Sequence, residues 1–365
     1  MKIEEKRSSL TVPPDTSWFD REPEQFLRRK EFVAFQEIAE IDLADLISRD
    51  RDTVQRAQES LSEKSIIINE IRKLHFGYGF PFLVYTHDLK FGEAIPRHNI
   101  EIDKAILAFD MCDSLRRRHA ALSHAIIPDA IDDLSKTMDR PLVVKNLGSG
   151  VGLDTLNALA KSNGAVAVVL NYDTSRQAVE LGERITRHLE QRQAIHSGIV
   201  KYKRQSLIES AEAADMIIKI GVICGLQDDV AAVLLTDDFK HLNEGGKLIV
   251  SSSNHHMKCT DPLASFLIQH IGTAKDPLAG WGLNFRTEEQ LRCLLTQAGF
   301  HRIEIYGDNN YPGIDTMPDT IRNGVDTLPS EVMGFPHYGS PLQLPSEEVA
   351  QKRISYNWIA VATKG

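Results

Sequence analysis

Apolar residues recur at helical spacing along "EFVAFQEIAEIDLADLISRD" (Phe32, Phe35, Ile38, Ile41, Leu43, Leu46) and again along "IDKAILAFDMCDSLRRRHAALSHAI". Polar or proline-containing segments bound both stretches, so residues 1–135 are predicted to be a mainly helical N-terminal region. The intervening "HFGYGFPFLVYTHDLKFGEAIPRHN" interrupts any helical period with glycine, proline and six aromatic residues, which predicts a loop or short strands. Past residue 136 the pattern changes. Short apolar runs, "PLVVKNL", "AVAVVLNYD", "GIVKYKR", "ADMIIKIGV" and "GKLIVSSS", alternate with amphipathic helical stretches. A parallel sheet wound on both faces reads this way in sequence, so residues 136–365 are expected to form an α/β domain.

Composition narrows the function classes. The 365 residues are 42% hydrophobic and 25% charged, ample for a globular core. A net charge of -9, with basic residues scattered along the chain, argues against a phosphate-backbone partner, and no nucleic acid is expected. Cys112, Cys224, Cys259 and Cys293 lie far apart with no CxxC pair, which fits free thiols in a reducing compartment better than disulfides or a zinc site. No metal is expected. The polar opening residues carry no apolar signal core, and no run of 18 apolar residues occurs, so the expectation is a cytoplasmic protein with no membrane partner.

The chemistry concentrates at "VVKNLGSGVGLDTLNALAKSNGAVAVVLNYDTS". A strand leading into Gly148, Gly150 and Gly152 lets the backbone approach a ligand without Cβ clash and aims N–H groups at it from a helix start. A dinucleotide fingerprint wants a third glycine where this chain has Leu153, which ranks a nicotinamide dehydrogenase last. The spacing G-S-G-V-G is instead similar to motif I of the class I S-adenosylmethionine (SAM)-dependent methyltransferases. "ADMIIKIGVICGL" resembles the fourth strand of that family. "FKHLNEGGKLIVSSS" resembles its glycine turn into the fifth, and "NFRTEEQLRCLLTQAGFHRIEIYG" its helix, A-G-F turn and sixth strand. The closing "SYNWIAVATKG" is similar to its seventh strand.

The resemblance implies a Rossmann-like, doubly wound seven-stranded α/β sheet with the last strand antiparallel. It implies SAM as cofactor and methyl transfer to a small molecule, oxygen or carbon ahead of nitrogen. It places the cofactor on Asn146, Gly148, Ser149, Gly150, Gly152, Asp154, Asp173, Gln205, Ser206, Ile220 and Gly221. Asp173 stands where the family binds both ribose hydroxyls, a task that suits a carboxylate because it accepts two hydrogen bonds from a diol. Two departures stand out. Asn146 replaces the acid usually found two residues before the first glycine, and Asp154 either takes over its contact or serves the helix start. Gln205 or Ser206 replaces the acid that contacts adenine. The departures leave open a non-catalytic SAM-fold protein acting as sensor or subunit.

Candidate bases must lie at the carboxyl ends of the strands. His255 and His256 follow the fifth strand directly and are the catalytic candidates, with a solvated loop as the plain reading. His75, His87, His98 and His337 are better read as structural. The family's N-P-P-Y and H-D-W segments are missing, with "KIGVICGL" and "CGLQDD" in their places. Two segments are expected to enclose the acceptor. One is the aromatic run Phe76, Tyr78, Phe80, Phe82, Tyr85 and Phe91; the other is an insertion at about 308–350 that carries Tyr338. Tyr78, Tyr85 and Tyr338 are the substrate-binding candidates. The helical region would act as a lid, a substrate-binding element or a dimerisation surface, the last making a homodimer.

Overall fold

Each short apolar run of the second part forms a strand. In the computed structural model, the described residues are 23–73, 79–86, 96–161, 167–206, 212–272, 283–313 and 355–365. Tyr78, Tyr338, His75, His87, His337, Phe76, Phe91 and residues 314–350 of the expected insertion lie outside them. The strands are β1 (Leu142–Leu147), β2 (Ala167–Asp173), β3 (Val200–Arg204), β4 (Ala214–Lys219), β5 (Leu242–Asn254), β6 (Phe285–Arg286), β7 (Arg302–Gly307) and β8 (Asn357–Thr363). They are ordered β3-β2-β1-β4-β5-β8-β7, with β8 antiparallel between β5 and β7. Strands β1 to β5 run parallel. The expected seven strands are thus joined by an eighth, β6, which pairs with Ser253 and Asn254. A two-residue strand is too short to leave a periodic signal, and the sequence reading had folded it into the helix that follows.

Alternation along the inner strands decides which side chain meets which helix layer. Met216 and Ile218 of β4 enter one apolar cluster, while Ile217 enters the other. The second cluster is completed by Ala231 and Leu235 of the helix Asp228–His241 and by Leu291, Leu294 and Leu295 of the helix Glu288–Gln297. The first takes in the helices Leu153–Lys161 and Arg176–Gln191 and the N-terminal helices, so that Phe32, Phe82 and Leu122 share one continuous core with Val144 and Ile249.

The N-terminal helices are α1 (Lys30–Ala39), α2 (Arg51–Lys64), α3 (Ile66–Lys73), α4 (Gly79–Thr86), α5 (Ile100–Leu107), α6 (Asp110–Ala121) and α7 (Ile127–Ser135). The first predicted helix stops early because Glu40 is left-handed at φ 51°, and a separate turn covers Leu43–Ile47. The second breaks at Phe109, whose backbone is extended, and a π-helical turn at Leu122–Ile126 joins α6 to α7. The largest departure is α4, which lies where a loop or short strands were expected. Every residue of Gly79–Thr86 except the half-buried Pro81 is buried, so no polar face exists to give the helix a period. Pro81 is tolerated because it sits in the first turn, where backbone N–H groups have no intrahelical partner.

The helix Pro262–Gly272 carries this region onto the sheet. Phe266 meets Phe32 edge-on at 5.5 Å, and the His270 ring lies 4.5 Å from Phe266. Burial pushes the His270 imidazole down to about 4, so its neutral form stabilises the fold fully above the unfolded value of 6.5 and that contribution is lost as pH falls toward 4. Asp261, at the start of the same helix, is pushed up to about 6 by burial and has the opposite slope, favouring the fold as pH falls from about 6 toward 3.8. Replacing His270→Phe keeps the ring packing and removes one slope. Urea unfolding at pH 7 and pH 5 is expected to show that the variant loses less stability over that interval than the native chain, by ~2 kcal/mol; an equal loss in both would show that His270 is not held neutral.

Candidate active site

The turn after β1 is held from three sides. Gly148, Gly150 and Gly152 have φ of 70°, 54° and 76°, a left-handed backbone that side-chain-bearing residues seldom adopt, so the glycines are demanded by geometry before any ligand is considered. The N–H groups of Gly148 and Ser149 donate to the Tyr172 carbonyl at 2.9 and 3.0 Å. Tyr202 of β3 donates to the Val151 carbonyl at 2.9 Å. Asp173, closing β2, accepts from the Gly150 N–H through one oxygen and from the Ser175 N–H through the other, each at 2.8 Å. Burial raises the Asp173 carboxyl above the ordinary range, and the bonds from Ser175 and Gly150 work against that rise.

A cavity of about 490 Å³ opens over this turn at the carboxyl ends of the strands. Gly148, Asp173, Ser206 and Gly221 border it on the sheet side, and Phe80, Met111, Leu115 and Arg118 come over it from α4 and α6. Tyr356 and Asn357 reach it from the start of β8. Of the other residues predicted to hold a cofactor, Ser149, Gly150 and Gly152 shape the turn, and Gln205 donates its backbone N–H to the Asp173 carbonyl at 3.1 Å. Ile220 packs on the core next to Gly221, whose N–H donates to the Ser251 hydroxyl at 2.9 Å. The Asn146 amide lies beneath the turn, 3.0 Å from the Asn171 side-chain oxygen. The Asp154 carboxylate is hydrogen-bonded to Nδ1 of the fully buried His119.

His255 and His256 follow β5 as expected, but among the described residues the cavity is lined from this turn by Met257 instead. The backbone explains the placement. The His255 N–H donates to the Arg286 carbonyl at 3.2 Å and the His256 N–H to the Asn254 side chain at 3.1 Å, so both residues serve the turn that starts the short helix Met257–Thr260. Tyr85 stands one layer behind the cavity. Its ring stacks on His119 at 4.3 Å, its hydroxyl accepts from Arg118 at 2.7 Å, and burial pushes the phenol up to about 12.

The polar machinery that the sequence reading missed is the run Arg116, Arg117, Arg118, His119, all buried in α6. Arg116 bonds to Asp113. Arg117 donates to Asp308 at 3.3 Å, and Asp308 also accepts from Ser114 and from the N–H groups of Tyr356 and Asn357 at 3.1 and 3.0 Å. Arg118 donates to Tyr85 and to the Asn357 side-chain oxygen at 3.1 Å. Three adjacent arginines in a helical stretch read as a solvated face, so the sequence carries no local signal of their burial. Arg286 is a second such brace: it donates to Asp228 at 2.8 Å and to the carbonyls of Ile223 and Leu226 at 2.8 and 2.6 Å, fixing the cavity wall after β4.

No family model and no curated protein sequence matches the chain. Among solved structures, a possible exported protein from Bordetella parapertussis is similar with a TM-score of 0.52 and 14% identity, covering 92% of this chain and 97% of that one. A magnesium protoporphyrin IX methyltransferase from Synechocystis PCC 6803 with bound SAH is similar with a TM-score of 0.42 and 14% identity, covering 83% of this chain and 100% of that one. Leaving aside β6, the strand order and the antiparallel β8 decide the architecture. The fold is a Rossmann-like, doubly wound sheet with one antiparallel strand, as the sequence resemblance implies. Among the described residues no helix is long and apolar enough to cross a membrane, and no group of His, Cys, Asp and Glu could hold a metal.

Asp308 has no exposed surface and is bonded to the buried Arg117, so removing its carboxylate leaves a guanidinium charge uncompensated. Asp308→Ala is expected to lower stability by about 3–5 kcal/mol in urea unfolding, with Asp308→Asn losing less because it keeps an acceptor for the backbone of β8. A loss no larger than that of an ordinary surface substitution would mean that the network does not hold α6 to β8.

Proposed function

We propose that the protein transfers the methyl group of SAM to a small-molecule metabolite, at oxygen or carbon ahead of nitrogen. The observation that carries this reading is one continuous cavity with two unlike sides: Gly148, Asp173, Ser206 and Gly221 at the strand ends, and Phe80, Met111, Leu115 and Arg118 of the N-terminal helices over them. The residues present fit the cofactor. The Asp173 carboxylate has about four acceptor sites and gives three to the backbone N–H groups of Gly150, Ser175 and Thr174, so acceptor capacity remains for a ribose hydroxyl. Gly148 and Gly221 offer backbone without side chains at the ends of β1 and β4. Ser206 borders the same space at the end of β3, where a polar side chain suits adenine. When bound, SAM supplies a methyl group on a sulfonium already activated by its positive charge.

The chain's own task is then alignment and the exclusion of water. Phe80, Met111, Leu115, Met257 and Ile268 form an apolar wall for the acceptor. His255 and His256 are not needed where the acceptor is a carboxylate or phenolate, which requires only positioning, whereas a hydroxyl or carbon acceptor needs a base to take its proton. Four unpaired cysteines, two of them buried, support a cytoplasmic setting. A second reading, SAM binding without transfer, draws on Asn146, whose amide is committed to Asn171 and Thr155.

Calorimetry with SAM and with its demethylated product tests the cofactor, and methyl-labelled SAM incubated with a metabolite extract separates enzyme from sensor. Asp173→Ala is expected to weaken SAM binding by ~1–3 kcal/mol, the cost of leaving ligand hydroxyls without their charged acceptor. An unchanged affinity would make Asp173 only the brace of the Gly150 turn.

A further inference from the structure

We infer that the methyl acceptor carries a carboxylate on an apolar body, and that Arg118 is the residue that holds this carboxylate. The inference deepens the methyl-transfer reading and rests on it for what occupies the neighbouring half of the cavity. It comes from comparing three adjacent arginines. Arg116 is matched by Asp113, and Arg117 by Asp308 with Asp113 at 4.0 Å. Arg118, equally buried at 5% exposure, is hydrogen-bonded only to neutral groups, the Tyr85 hydroxyl and the Asn357 amide oxygen, and its Nε has no partner. It is also the one of the three that borders the cavity. Asp154, the acid nearest in its electrostatics, is itself bonded to His119.

A buried cation with neutral partners is costly unless an anion joins it. Burial opposes the Arg118 charge, but Tyr85 and Asp154 outweigh it and keep the guanidinium charged. Of its five N–H donors two are engaged, which leaves enough for a bidentate carboxylate contact. One positive charge matches a monoanion better than a phosphate dianion. The body of the acceptor faces Met111, Leu115, Met257 and Ile268, none of which offers a polar side-chain group. Asn357 and Tyr85 act on Arg118 rather than on the acceptor and are positioning residues. The competing occupant is the carboxylate of the cofactor itself, since a Cβ at Gly221 would lie 4.0 Å from Nη2 of Arg118.

The test is calorimetry on the full chain with and without saturating SAH, using benzoate against benzamide and hexanoate against hexanamide as probes. The native protein with SAH is expected to bind each acid about tenfold or more tighter than its amide. Arg118→Gln should abolish that preference while SAH affinity changes by less than about threefold, and Arg118→Lys should retain part of it. No preference in the native protein overturns the inference. So does a loss of SAH affinity in Arg118→Gln of about thirtyfold or more, which would assign Arg118 to the cofactor. Should Arg118→Gln fail to fold, the native preference and the charge-conserving Arg118→Lys decide. If SAH does not bind the native chain, the methyl-transfer reading falls, and the acid preference measured without SAH decides the role of Arg118 separately.

Discussion

Four consecutive ionisable side chains buried in one helix govern how this protein is assembled. At about 100° per residue, Arg116, Arg117, Arg118 and His119 point around nearly the whole circumference of α6, so the helix cannot turn a solvated face outward without stranding one of them. Each needs its own polar partner, because a buried charge left unmatched costs several kcal/mol. The partners come from different places: Asp113 within the helix, Asp308 after β7, Tyr85 on α4 with Asn357 on β8, and Asp154 at the start of the helix behind the glycine turn. Giving each of the four a polar partner therefore sets the position of α4, the ends of β7 and β8, and the helix Leu153–Lys161 relative to a single element.

The cavity inherits its order from that arrangement. Its sheet side is shaped by backbone constraints, namely three left-handed glycines and the carboxylate of Asp173 drawn onto the Gly150 N–H. Its roof is shaped by α6, which presents Met111, Leu115 and Arg118 from successive turns. Arg286 supplies the third support by gathering carbonyls from Ile223 and Leu226, so the wall after β4 is tied to the end of β5. Three guanidinium-centred or carboxylate-centred braces thus surround a largely apolar space. Such a layout suits the proposed methyl transfer, which needs two reactants aligned with little water.

The second half of the chain was legible in its sequence to the level of strands alternating with helices, because parallel strands buried on both faces leave dense apolar runs separated by helical periods. The antiparallel last strand came from the family resemblance and the strand order from the structure. The glycine turn and Asp173 were legible for a related reason: left-handed backbone admits few residue types, so geometry writes itself into composition. Those features are local, and a sequence records local demands well. What only tertiary structure decided is the environment of each polar side chain. Nothing local in "SLRRRH" tells that its arginines are inside, since basic residues in a helical period read as a solvated face until the partner acids arrive from Asp154 and Asp308, tens to nearly two hundred residues away. The same holds for α4, a helix without a polar face whose sequence period vanishes because it is surrounded, and for His255 and His256, whose nearness to the sheet edge was readable while the place of their backbone in the turn was settled by bonds to Arg286 and Asn254. Periodicity follows from a residue's neighbours in the chain; burial and charge pairing follow from its neighbours in space.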